Sequence, residues 1–178
     1  VTSTLLLVLA VPNTGHATPK ADETWVYSVL RDGNPIGTHS IIFHHQGDRS
    51  TVHITTKLAV QVAFITAFRY EHESEETWEG KKLVGLTSKT NDDGTHHTVS
   101  VTAGKNTLTV QADGTEKDVP VDTLLHNQWN LDNLARTQLL SPFDGTLLNV
   151  SFSGPTDETI EVSGKSVQAR RYTMNGDL

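Results

Sequence analysis

From Trp25 onward, apolar and polar residues alternate in short runs separated by glycine, aspartate and asparagine. In residues 25–30, WVYSVL, Trp25, Tyr27 and Val29 share one face. Asp32-Gly33-Asn34-Pro35 then supplies a turn: glycine for positive φ, aspartate and asparagine for local backbone bonds. A second strand is expected over 36–45, with Gln46-Gly47-Asp48 turning the chain again. After it, Val52, Ile54, Leu58, Val60 and Val62 fall on one face, and His53, Thr55 and Lys57 on the other. A period of two, rich in β-branched residues, predicts a half-buried antiparallel strand. Residues 68–79, FRYEHESEETWE, contain enough glutamate to suggest a helix, but their period is also two. Phe68, Tyr70, His72, Ser74, Glu76 and Trp78 line one face. Arg69, Glu71, Glu73, Glu75, Thr77 and Glu79 line the other. A charged face opposite an aromatic one fits a strand with one side in water.

Two hairpin signals follow. Residues 83–90 and 95–103 flank Asn91-Asp92-Asp93-Gly94, and 106–112 and 115–119 flank Asp113-Gly114. Leu131, Leu134, Ala135, Gln138 and Leu139 then have helical spacing, with Asn130 or Asp132 as cap and Ser141-Pro142 as stop. Strands are expected again at 147–153, 158–162 and 167–174. The fold class is therefore all-β, mainly antiparallel, with about nine strands. It is expected as a curved meander sheet or an incompletely closed β-barrel with one short inserted helix. Closure of a long meander would remove its edges.

Length and charge narrow the rest. The chain has 178 residues, enough for one domain with a sizeable core. Lys and Arg number 14 and Asp and Glu 21, a formal net charge of −7, with no basic stripe, so nucleic acid is not an expected partner. The chain has no cysteine, which excludes disulfides, thiolate metal sites and a cysteine nucleophile. Residues 5–11, LLLVLAV, precede Gly15 and Ala17, small residues two apart. This pattern predicts a signal peptide at 1–17 cut after Ala17, although VTST at the start has no basic residue. The expected product is a single antiparallel β domain over 18–178, periplasmic or secreted, and soluble rather than membrane-spanning, since the run is too short to cross a bilayer.

The stretches YSVLRDGNPIGTHSIIF (27–43), AFRYEHESEETWEGKKLVGLTSKTNDDG (67–94) and VSGKSVQARRYTMNGDL (162–178) resemble an uncharacterised family of exported bacterial proteins with a strand–DGxPIG–strand opening. The resemblance implies a curved antiparallel sheet of the periplasmic lipoprotein-carrier or lipocalin-like kind. It brings no catalytic role and no functional residue. It also implies a further strand pair after RRYTMNGDL, so a truncation at the C-terminus is expected.

The chemistry is sparse. There are nine histidines, but no HExxH and no i, i+2 pair. The neighbours His44-His45 and His96-His97 each offer one ligand to a given face. His39 and His45 share a face, and His53 could meet one of them across the 46–48 turn. No metal and no cofactor is assigned. GxSxG, P-loop and GxGxxG motifs are absent from the sequence, and no catalytic residue is assigned. The favoured reading is an exported binding module for an apolar or amphipathic small molecule or lipid. Its ligand site is expected at Trp25, Tyr27, Phe68, Tyr70, His72, Glu76 and Trp78, with His72 and Glu76 as polar members among aromatic walls. The competing readings are a structural or protein-interaction domain without a ligand, and an isomerase or metal-assisted hydrolase.

Overall fold

Aspartate-glycine pairs set three of the hairpins. Asp32 and Gly33, Asp93 and Gly94, and Asp113 and Gly114 all have positive φ, the conformation that a two-residue hairpin turn demands and that these residues tolerate. The computed structural model describes residues 23–62, 65–162 and 164–177. The signal peptide expected at 1–17 lies outside them.

Contacts cluster into two units. The larger comprises the described residues of Pro19–Leu124 together with Ser141–Thr146. It holds β1 (Glu23–Arg31), β2 (Asn34–Gln46), β3 (Arg49–Val62), β4 (Ile65–Glu79), β5 (Lys82–Asp92), β6 (Thr95–Ala103), β7 (Thr107–Ala112) and β8 (Thr115–Pro120). Each strand pairs antiparallel with the next, in the order β1-β2-β3-β4-β5-β6-β7-β8. Residues 68–79 are a strand, as their period predicts. Glu71, Glu73, Glu75 and Glu79 are exposed, while His72, Ser74, Glu76 and Trp78 are buried. Ile41, Phe43, Val52, Trp78, Leu83, Leu86, Val101, Leu108 and Val110 make the core of the inner face.

The β-barrel and lipocalin-like expectations need correction. The sheet is open, with β1 and β8 as its two edges and no pairing between them among the described residues. Closure is one way to protect an edge. β8 protects its own with the exposed charges Glu116, Lys117 and Asp118 and with Pro120, which has no N–H to offer.

The smaller unit comprises the described residues of Leu125–Leu140 and Leu147–Leu178. A 3₁₀ helix, Leu131–Ala135, is capped by the Asn130 side chain, which accepts from the Asp132 N–H. The buried Asn133 side-chain amide donates to the Leu125 and Asn127 carbonyls and ties the helix to the preceding segment. The residues expected to extend this helix form β9 (Gln138–Leu140), which pairs with β10 (Leu147–Val162), which in turn pairs with β11 (Lys165–Gly176). Residues 147–153 and 158–162, expected as two strands, are one, with a register shift between Ser153 and Thr156. Among the described residues no helix is long and apolar enough to cross a membrane.

Candidate functional site

The register of the large sheet aligns polar side chains across its inner face. Tyr27 lies opposite His39, His39 opposite Thr56, Thr56 opposite His72, and His72 opposite Thr90. His39 Nδ1 is 2.8 Å from Thr56 Oγ1, and His72 Nδ1 is 2.9 Å from Thr90 Oγ1. The Thr90 hydroxyl donates to the Phe143 carbonyl at 3.0 Å. A carbonyl only accepts, so the Thr90 proton is committed there and His72 Nδ1 must be the donor to Thr90. His72 Nε2 is then the unprotonated nitrogen of the neutral ring.

The loop Ser141–Thr146 is hung on this face. Ser88 Oγ donates to the Pro142 carbonyl at 2.6 Å, next to the bond from Thr90 to Phe143. Asp144 accepts from the Thr146 N–H and hydroxyl, and Gly145, at φ +75°, lies against Ala112 where a Cβ would come within 2.6 Å. The loop brings the Phe143 ring edge-on to His72, with centroids 4.7 Å apart, and to Tyr70 at 6.2 Å.

His39 is 8% exposed and His72 1%. Burial pushes the His72 imidazole down to about 4, helped by the positive charge His39 would carry. Burial also lowers His39. Both rings are neutral at neutral pH. Burial raises Tyr70, as do the nearby Asp92 and Asp144 carboxylates, and burial and then Glu23 raise Tyr27. Burial pushes Asp144 up, but hydrogen bonds from Ser141 and Thr146 outweigh it and leave the carboxyl below its ordinary value. Among the described residues, His39 Nε2 is buried without a hydrogen-bond partner.

Beside the polar row the inner face stays apolar but is incompletely covered. Val29, Gly37, Leu58 and Tyr70 form the next row, and Val60 pairs with Phe68 beyond it. Tyr27, Val29, Leu58, Val60, Phe68 and Tyr70 are all half-buried.

The residues expected to form a ligand site therefore divide. Tyr27 and His72 belong to the polar row, Tyr70 lies in the next row and Phe68 one row further on. Trp78 and Glu76 lie in the closed core at 2% and 0% exposure, with Trp78 Nε1 donating to Glu76 Oε2 at 2.9 Å. Trp25 packs edge-on against Phe43, 4.8 Å between centroids, and donates to Glu23. The expected contact of His53 with His39 or His45 is corrected: His53 pairs with Ile42 on the outer face, beside His44 and Glu75. His45 bonds Ser50 instead. Among the described residues, no group of three or more His, Asp or Glu could hold a metal. Thr56, Thr90 and Phe143 escaped the sequence reading. The alternation of 50–62 and 83–90 contained the threonines, but nothing local marked Phe143.

Residues 27–178 match a family described as a domain of unknown function, DUF6134. The chain belongs to the DUF6134 family. No curated protein and no solved structure matches it. The DUF6134 span begins at Tyr27, the first residue of the polar row, and includes the whole row and the Ser141–Thr146 loop. That an uncharacterised family covers most of the chain is the part of the resemblance drawn from the sequence that the match supports.

Proposed function

We propose that this protein binds an uncharged amphipathic small molecule. The ligand's apolar part lies against Tyr27, Val29, Leu58, Val60, Phe68 and Tyr70, and its polar head reaches His39. The observation that carries this reading is His39 Nε2, a buried ring nitrogen left open beside an incompletely covered apolar surface. Buried polar atoms are nearly always paired, and an unpaired one costs about 1–3 kcal/mol. A ligand hydroxyl or amide would remove that cost. Each methylene buried against the half-covered rows would add about 0.8 kcal/mol before ordering losses. Neutral imidazoles, and inner-face positions from Trp25 to Val29 and from His39 to Trp78 without Lys or Arg, give a carboxylate head no countercharge. A long-chain alcohol or amide suits the site better than a fatty acid.

The test is titration with a fluorescent long-chain alcohol and its carboxylate analogue. Saturable uptake of the alcohol, weaker uptake of the carboxylate, and about 3–10-fold weaker alcohol binding in His39→Ala are expected, the last from the value of one hydrogen bond. Phe68→Ser should weaken both probes. Absence of uptake of either probe by the parent protein overturns the proposal.

A further inference from the structure

The described sheet edges are not equally defended. An open edge offers unpaired N–H and C=O groups to another strand, and proteins blunt it with charge, proline or shortness. β8 has Glu116, Lys117, Asp118 and Pro120, β9 has three residues, and β11 carries Lys165, Arg170 and Arg171. β1 has none of these between its ends: TWVYSVL separates Glu23 from Arg31. Among the described residues it pairs only with β2. Its outer face also carries Val26 and Leu30, exposed at 66% and 55%, the two most exposed large hydrophobics described.

We infer that two copies of this chain join edge to edge through β1, antiparallel about a two-fold axis at Tyr27. The charge pattern selects this register. It sets Glu23 opposite the partner's Arg31, and Arg31 opposite the partner's Glu23, at both ends of an uncharged strand. Between them Trp25 meets the partner's Val29, and Val26 meets the partner's Ser28. Inner-face residues thus meet inner-face residues, and the two sheets continue as one. A slip of one residue would set inner side chains against outer ones. A slip of two would lose both ion pairs, and a parallel in-register arrangement would stack Glu23 on Glu23. A closed two-fold contact of this kind is self-limiting: it uses both β1 edges and leaves the defended ones outside.

This inference does not rest on the ligand site: it is argued from the edge, the outer face and the end charges of β1, although Tyr27 and Val29 figure in both. The test is sedimentation velocity of the full chain over a concentration series, with circular dichroism as the folding control. A concentration-dependent dimer is expected. Val26→Lys, which places a charge at the centre of the edge on the exposed face, should raise the dimer dissociation constant tenfold or more while the spectrum is unchanged. Glu23→Arg and Arg31→Glu should each weaken the dimer, and the double variant Glu23→Arg/Arg31→Glu should restore it. Glu23→Arg also removes the acceptor of the Trp25 indole, so restoration by the second substitution distinguishes pairing across the axis from local damage. A parent protein that stays monomeric throughout overturns the inference. A dimer indifferent to Val26→Lys, or unrestored by the double reversal, overturns the register.

Discussion

Acid should destabilise the large sheet through one side chain, His72. The ring is 1% exposed, and its Nδ1–H is committed to Thr90, whose hydroxyl is committed to Phe143. A proton can add only at Nε2, creating a cation in a buried setting beside His39. The ring's pKa falls from 6.5 to about 4 on folding. The unfolded chain therefore takes the proton first as pH drops. The stability tied to the neutral ring is fully present above about pH 6.5, declines through the window between the two values, and is lost below about pH 4. Across that window the loss is about 3 kcal/mol, from 1.36 kcal/mol per pKa unit. Urea unfolding followed by tryptophan fluorescence, at pH 7.5 and pH 4, measures it in the parent and in His72→Asn. The variant should be less stable at pH 7.5 because it loses packing against Phe143. Its drop in stability toward pH 4 should be smaller than the parent's by about 3 kcal/mol. His39 and Asp144, whose shifts also disfavour the acid side, are present in both proteins. Parallel pH dependences in the two proteins would refute the buried-imidazole account.

Two further substitutions test the packing. Trp78→Ala should cost about 3–5 kcal/mol, because it opens a cavity in a closed core and removes the indole donor to Glu76; a loss below about 1 kcal/mol in chemical denaturation would show that Trp78 is not a core residue. Gly145→Ala should lower the thermal midpoint, at a cost of about 1–3 kcal/mol, since the new Cβ would meet Ala112 at 2.6 Å in a left-handed backbone; Ala112→Gly in the same chain should recover only the part due to the collision, and an unchanged midpoint in the single variant would refute the contact.

The strands were legible because alternation and turn chemistry agree over most of the chain. The strand at 68–79 illustrates the balance: its glutamates favour a helix, but each lies on the wet side of a period-two pattern, and the pairing follows the pattern. The polar row was not legible. Its alignment depends on which residue of each strand faces which, and register shifts at Val29/Leu30, Val60/Gln61 and Thr77/Trp78 alter that count without a local sequence mark. Glu76 receives an N–H on its own face from Trp78, two residues along the same strand. Ser141-Pro142 was legible only as a helix stop. That the same residues carry Phe143 onto His72 follows from bonds closed across more than fifty residues of chain.

Those two bonds also order events in time. Every pairing in the β1–β8 meander joins neighbours in sequence, so each hairpin can zip onto the last with a short loop to close. The bonds from Ser88 to Pro142 and from Thr90 to Phe143 span 54 and 53 residues, and the chain must return over the finished sheet to make them. During synthesis the residues of the β1–β8 meander are made before Phe143. The His72 ring therefore gains its edge contact with Phe143 only when the loop seats.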